Sequence, residues 1–250
     1  VSGKRVGLTY FALNEDNEYL QDVNVRKAIQ MAINREKILE DLYHGEGIIE
    51  NGIIATGVWG HNPDLQAIEY DPEGAKALLT EAGYAENEIT FELALDSSAD
   101  TTTQMVYQQI QQDLAAIGIK AEIKSYDESA WLELRMSGEM ESYVATWTMD
   151  YNDPANIMAT FFGSETNTAN RSLNYDNTEV MQRVSDASRI VDDDERMAEY
   201  QALEEQLVVE DAVWVPMYEK THLFALGDNI ESFVPHWAGF TNFFIRDVVM

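Results

Sequence analysis

The chain has 250 residues, no cysteine, 45 acidic against 16 basic side chains and a formal charge of -29. Without thiols there is no disulfide, thiolate metal site or cysteine nucleophile, and so acidic a surface repels phosphate backbones and anionic headgroups, which argues against nucleic-acid binding. Hydrophobic residues at 45%, with 14 glycines and 5 prolines in no period, make an ordinary globular composition, long enough for one large or two modest units.

Val6–Leu13 mixes apolar and polar positions as a half-buried strand does, and the polar run Asn14–Asn17 ends it. From Asp22 to Asn34, Val25, Ala28, Ile29 and Ala32 recur at helical spacing, and Asn34 can start a second helix through Tyr43. Gly45–Gly60 reads as a long loop. Next, Asp71 and Pro72 open a helix that Gly83 closes. Strand Ile89–Leu95, a helix over Thr101–Ile117 with the stripe Val106, Ile110, Leu114 and Ile117, and strand Ile119–Ser125 follow in the order of a crossover unit. A short helix at Ser129–Met136 precedes the β-branched and aromatic strand Tyr143–Met149, which stops at Asp150-Tyr-Asn-Asp-Pro154. A helical turn over Pro154–Phe162, helices at Thr178–Val191 and Asp194–Glu210, and strands Val213–Tyr218 and His222–Leu226 complete the reading. The last residues, Phe233–Met250, carry Trp237, Phe240, Phe243 and Phe244 and are apolar enough to require a packing partner.

No apolar run reaches the roughly 18–20 residues that cross a bilayer. The opening VSGKRVGLTYFALN has no signal-peptide layout, so the leader or lipid-anchor cysteine of an exported protein is expected upstream. Phosphate-binding and dinucleotide-binding glycine loops and the G-x-S-x-G elbow are missing. His44, His61, His222 and His236 fall at no metal-ligand spacing. Asp192-Asp-Asp-Glu195 lacks the alternation of a calcium loop and suits a helix N-terminus. Neither a catalytic group nor a metal or cofactor site is expected. Trp147-Thr-Met-Asp150 differs, because a carboxylate that ends an apolar strand next to a large aromatic face can neutralise a ligand cation while the indole supplies apolar contact. A core tryptophan followed by a turn aspartate is the plainer alternative.

Five ordered phrases carry a family resemblance. Asp22-Val-Asn-Val-Arg-Lys-Ala-Ile-Gln-Met-Ala-Ile-Asn-Arg-Glu-Lys-Ile38, Tyr70-Asp-Pro-Glu-Gly-Ala-Lys-Ala-Leu-Leu-Thr-Glu-Ala-Gly-Tyr84, Ile117-Gly-Ile119 before a strand, Trp147-x-x-Asp150-Tyr-x-Asp-Pro154, and Asp194-x-Arg-x-x-x-Tyr200 followed by Pro216 together resemble the family 5 extracytoplasmic solute-binding proteins, the oligopeptide- and dipeptide-binding components of ABC importers. Asn24 stands where that family usually has arginine, Tyr19-Leu20 replaces its Pro-Phe, and Val144 replaces the arginine that oligopeptide binders carry three residues before the tryptophan.

The resemblance implies an α/β fold, a periplasmic-binding-protein-like type II lobe with a mixed β-sheet flanked by helices. Residues 5–225 are expected to form the second, ligand-binding lobe, and 226–250 a C-terminal return segment belonging to the first lobe, whose remainder is the N-terminal half of a longer protein. It further implies that the strand around Thr146 and Thr148 pairs with a peptide backbone. Asp150 would take the peptide's α-ammonium group, with Trp147, Met149 and Tyr151 completing the ligand-binding set. The expected partners are a peptide and the permease subunits of the membrane. The expected location is extracytoplasmic, in the periplasm or on the outer face of the membrane as a lipoprotein. Alternatives are the same fold binding a nickel complex, sugar or opine, a hydrolase using acidic residues, and the sensory domain of a transcription regulator.

Overall fold

The computed structural model describes residues 2–4, 6–66, 69–233 and 248–249. In chain order the elements are β1 (Ser2–Lys4), β2 (Gly7–Leu13), α1 (Val23–Ala32), α2 (Arg35–Tyr43), β3 (Gly47–Ile49), α3 (Pro72–Glu81), β4 (Thr90–Asp96), α4 (Thr101–Ala116), β5 (Lys120–Tyr126), α5 (Glu128–Ser137), β6 (Ser142–Thr148), α6 (Ala155–Phe162), α7 (Glu165–Ala169), α8 (Thr178–Ala187), α9 (Asp193–Glu205), a π-turn (Gln206–Glu210), β7 (Trp214–Leu223), β8 (Ser232–Phe233) and β9 (Val248–Val249). No helix among the described residues is long and apolar enough to cross a membrane.

Side-chain caps set the helix starts. Asp22, Asn34, Asp71, Asp100 and Asp127 each accept a hydrogen bond from the first turn of the helix that follows. Asp192 accepts from the amides of Asp194 and Glu195, so the acidic run Asp192–Glu195 is a helix start, as the sequence indicates.

β7, β2 and β6 are hydrogen-bonded neighbours in one antiparallel sheet, with β1 and β3 both paired to the outer half of β7. β4 and β5 pair in parallel across the α4 crossover, so the parallel and antiparallel parts lie in two sheets. Side chains join them: Ser142 Oγ donates to the Glu92 carbonyl at 2.7 Å, and the Glu92 amide donates to Glu141 at 2.5 Å.

Because side chains alternate along a strand, β2 sends Leu8, Tyr10 and Ala12 into one core and Phe11 and Leu13 into another. The first core is filled by α6, α8 and α9, where Tyr10 stacks on Trp214 at 4.6 Å and Phe161 meets both edge-on. The second core holds α1, α3, α4 and the β4–β5 pair.

Several elements depart from the sequence reading. The helix expected to run to Glu210 leaves α-geometry after Glu205. Its Val208 carbonyl turns toward α1, where Gln30 Nε2 donates to it (3.1 Å) and to the Trp214 carbonyl at the start of β7 (2.7 Å). The strands expected at Val213–Tyr218 and His222–Leu226 are one strand, β7, whose middle is held extended by pairing with β1 and β3. The helix from Thr178 stops at Ala187, before Val191, while β1, β3 and α7 come from stretches read as loop or left unassigned. In the return segment β8 pairs antiparallel with β9; Trp237, Phe240, Phe243 and Phe244 lie outside the described residues.

The first arginine of the first signature phrase is a structural anchor. Arg26 is 4% exposed and donates to the carbonyls of Leu20 (2.7 Å), Gln21 (3.0 Å), Asp211 (2.6 Å) and Ala212 (3.3 Å), with Glu15 at 3.4 Å. It therefore pins the approach to α1 against the turn before β7. Burial outweighs the attraction of Arg26 and pushes the Glu15 carboxyl up to about 7. Arg26→Leu would strand these acceptors, at a cost of roughly 3–5 kcal/mol; urea unfolding measures it, and a loss below about 1 kcal/mol would contradict the anchoring role.

Three buried carboxyls surround residues 50–56. Glu204 accepts the amides of Ile53 (2.6 Å) and Ile54 (2.7 Å), and burial pushes it up to about 8. Its approach requires Gly52, where a Cβ would stand 2.1 Å from a Glu204 oxygen. Glu219 accepts the Thr56 amide, and burial followed by its contact with Glu50 pushes it up to about 9. The folded protein thus holds protons that the unfolded chain releases near 4.5. This contribution to stability is complete below that value and is lost as pH rises through 8–9. We predict that the melting temperature falls between about pH 6 and pH 9.5, and falls less in Glu204→Gln. A melting temperature that rises over this window would contradict the assignment.

Candidate functional site

The site is built on β6. Val6 and Met149 lie opposite each other, as do Asn14 and Glu141, and in each pair an inter-strand backbone hydrogen bond joins the two residues (3.1 and 3.0 Å). By alternation the amides and carbonyls of residues 143, 145, 147 and 149 point to β2, and those of Val144, Thr146 and Thr148 point to the outer edge. β6 is the end of its sheet. At Val144 that edge is closed by Tyr107: its hydroxyl accepts the Val144 amide (3.0 Å) and lies 3.0 Å from the Ala94 carbonyl of β4. Past this plug no strand covers Thr146 among the described residues.

Asp150 follows where the chain bends, exposed and beside a half-buried Trp147. One side-chain amide sets both. Asn156 Oδ1 accepts the indole Nε1–H of Trp147 at 2.9 Å and lies 3.4 Å from the Asp150 amide, while its Nδ2 donates to Asp150 Oδ2 at 3.2 Å. The indole meets Phe161 edge-on at 5.3 Å, and the Arg171 guanidinium lies 5.1 Å from the centre of the Trp147 ring and 5.2 Å from that of Phe161.

The two aspartates of the junction have different roles. Asp153 is occupied: it caps the Ala155 amide (2.9 Å) and pairs with Arg196 (2.7 Å), which lies over Trp59 at 4.2 Å. Asp150 is in no ion pair among the described residues, so its negative charge is available to a ligand.

The remaining sequence-predicted residues divide. Thr146 is exposed, its hydroxyl bonded to that of Thr9 at 2.9 Å. Thr148 is half-buried beside Gly7, where a Cβ would come within 2.8 Å of the Trp147 carbonyl oxygen and force β2 away. Tyr151 is 51% exposed next to Asp150. Met149 is 1% exposed with its amide bonded inward to Val6, so its side chain belongs to the core and not to a ligand surface. Sequence reasoning passed over Asn156, Tyr107 and Arg171; for Asn156 the one available signal is an amide residue two positions after Asp153-Pro154.

A cavity of about 210 Å³ flanks the open edge, lined by Thr9, Tyr43, Val106, Val144, Thr146, Tyr218 and Lys220 among others. Its walls are apolar or hydroxylic, with Lys220 over the Tyr43 ring at 5.2 Å. It is the size of a small side chain, not of a whole peptide. A larger cavity of about 580 Å³, at Ile33, Arg35, Ile49 and Tyr70, touches no residue of β6.

The sequence profile of bacterial extracellular solute-binding proteins, family 5 (middle region), matches residues 1–169. The chain belongs to this family. Among family 5 relatives, the dipeptide-binding protein of Escherichia coli (strain K12) is 35% identical over 163 residues, which are 64% of this chain and 30% of the relative. HbpA2 from Haemophilus parasuis superposes with a TM-score of 0.87 at 25% identity, over 100% of this chain and 49% of that structure. The periplasmic binding protein DppA from Helicobacter pylori in complex with the peptide STSA gives 0.78 at 28% identity, over 94% and 46%. The chain therefore spans less than half the length of these relatives, and its lobe has the periplasmic-binding-protein fold that the sequence implied.

The plug that ends the covered part of β6 can be tested. Tyr107→Phe would remove the acceptor of the part-buried Val144 amide, at a cost of about 0.5–1.5 kcal/mol in urea unfolding; an unchanged midpoint would show that Tyr107 does not close the edge.

Proposed function

We propose that this chain is the ligand-capturing lobe of a peptide-binding protein that serves an ABC importer at the outer face of the membrane, in the periplasm or held there as a lipoprotein. In this reading residues 5–225 form one wall of the cleft. Residues 226–250 return to the other lobe, built with an N-terminal half that supplies the opposing wall. Closure about the strands joining the lobes encloses the ligand, and the closed form is handed to the permease without covalent chemistry.

One observation carries the reading. The terminal strand of a sheet turns the amide and carbonyl of Thr146 outward, and next to that edge stands Asp150, a carboxylate with no cation among the described residues. An extended peptide satisfies both features. Its backbone adds a strand to β6, which is blind to side chains, and its α-ammonium donates a charge-assisted hydrogen bond to Asp150, which fixes register. Trp147 supplies an apolar floor, and the neighbouring 210 Å³ cavity accepts a side chain. Family membership and the peptide-binding relatives support the same choice.

On this lobe alone Asp150 is exposed, so its strength as an anchor depends on the second wall excluding water. The test is isothermal titration of the full-length parent protein with a pool of di- to pentapeptides and with the same pool acetylated at the amino terminus. Acetylation and Asp150→Asn should each weaken binding by about 10- to 100-fold, and the two losses should not add. Peptide binding indifferent to both would remove Asp150 from the site. Binding of no peptide would leave the fold and direct the ligand search to nickel complexes, sugars or opines, while turnover of any of them would favour a hydrolase.

A further inference from the structure

Helix α9 grips two separated stretches of chain. Glu204 holds the amides of Ile53 and Ile54, and Gln201 Nε2 lies 3.3 Å from the Gly60 carbonyl oxygen. Arg196 reaches both stretches: its guanidinium lies 4.2 Å from the centre of the Trp59 ring, and its Nη1 donates to Asp153 Oδ2 at 2.7 Å. The 53–60 segment also meets the 150–154 junction directly. The Trp59 amide donates to Asn152 Oδ1 at 2.9 Å, and Gly60, at φ +87°, stands so near Pro154 that a Cβ would come within 3.1 Å of that ring. The other oxygen of Asp153 caps Ala155 at the start of α6, and Asn156 of that helix reaches back to Asp150 and Trp147. The turn that carries Asp150 is therefore clamped between α6 and a segment that α9 holds. The Arg196 and Asp153 side chains are only 18% and 23% exposed, so solvent screens this pair less than it does the surface pairs of the chain.

We propose that Arg196, stacked on Trp59, is a positioning residue for peptide capture: through Asp153 it sets where the Asp150 carboxylate stands at the end of the β6 edge. The inference rests on the peptide-receptor reading of the site. Arg196 needs no contact with the peptide. Its guanidinium joins a carboxylate of the turn to the indole of a segment that is itself tied to β7 by Glu219, so the turn cannot move without breaking an ion pair or unstacking a ring. A charge-assisted hydrogen bond weakens steeply as its distance and angle depart from the optimum, so a displaced turn loses grip on the α-ammonium. The outward amide and carbonyl of Thr146 are oriented instead by the ladder between β2 and β6, to which α9 contributes nothing. Loss of Arg196 should accordingly damage recognition of the amino terminus and spare the backbone pairing. If Arg196 contributed only stability, free and acetylated peptides would be weakened alike.

The experiment is calorimetric titration of the full-length parent protein with trialanine and with N-acetyl-trialanine, read as the ratio of the two affinities within each variant. Wild type should prefer the free peptide by about 10- to 100-fold. Arg196→Gln should shrink that ratio by about 5-fold or more while affinity for the acetylated peptide changes by less than about 3-fold. Arg196→Lys, which keeps the charge toward Asp153 but not the planar stack, should give an intermediate ratio. Trp59→Ala should shrink the ratio as well, and Trp59→Phe, which keeps a ring beneath the guanidinium, should restore it; this second pair decides the matter should Arg196→Gln fold poorly. A general loss of stability lowers both affinities and does not imitate the effect. A ratio within about 2-fold of wild type in both Arg196→Gln and Trp59→Ala would overturn the inference alone. A wild type that binds both peptides equally would remove Asp150 as the anchor, and one that binds neither would overturn the peptide-receptor reading; the inference falls with either.

Discussion

The hydrogen-bond ladder between β2 and β6 decides which atoms of this lobe can meet a ligand. With Val6 set against Met149 and Asn14 against Glu141, residues 143 to 149 alternate strictly between inward and outward backbone groups. A slip of one residue would exchange Thr146 for Trp147 at the outer edge and turn the indole away from Phe161 and Asn156. Two devices fix the register. Tyr10 and Trp214 are stacked in the core beneath β2, and Gly7 lets the two backbones approach where any side chain would collide with the Trp147 carbonyl. Tyr107 then limits how far the exposed edge extends, because its hydroxyl occupies Val144 as a neighbouring strand would.

Electrostatics in this chain work at two scales. The excess of carboxylates is largely a surface property, yet Glu50, Glu204 and Glu219 are interior and hold the 50–56 segment through backbone amides. Burial favours the protonated forms of Glu204 and Glu219, which limits the negative charge placed in the core. At the site the opposite holds: Asp150, tied through Asn156 to the Trp147 indole, is exposed and in no ion pair among the described residues. Paired groups such as Asp153–Arg196 and Arg26–Glu15 serve the fold.

Much of this was legible from local signals. Caps at Asp22, Asn34, Asp71, Asp100 and Asp127 mark helix starts because the information lies within three residues. The crossover from β4 to β5 follows from element order, and the juxtaposition of Trp147 and Asp150 could be read from their spacing alone. What could not be read depends on distant residues. The hydroxyl of Tyr107 meets β6 37 positions away, and Arg171 reaches the Trp147 ring from beyond α6 and α7. Asn156 resembled any helical polar residue until the fold aimed its amide at both site side chains. Met149 was misplaced for the complementary reason: the strand alternation that exposes Thr146 must bury it. β7 was read as two strands because the partners that keep its middle extended, β1 and β3, are themselves too short to announce themselves.

The central claim is that a peptide lengthens the sheet along the outer edge of β6, and a crystal structure of the full-length parent protein with bound trialanine tests it most directly. The account predicts backbone hydrogen bonds of about 2.7–3.2 Å between the peptide and the amide and carbonyl of Thr146, with the α-ammonium on Asp150. A peptide seated elsewhere in the cleft, with the edge at Thr146 facing only water, would contradict it.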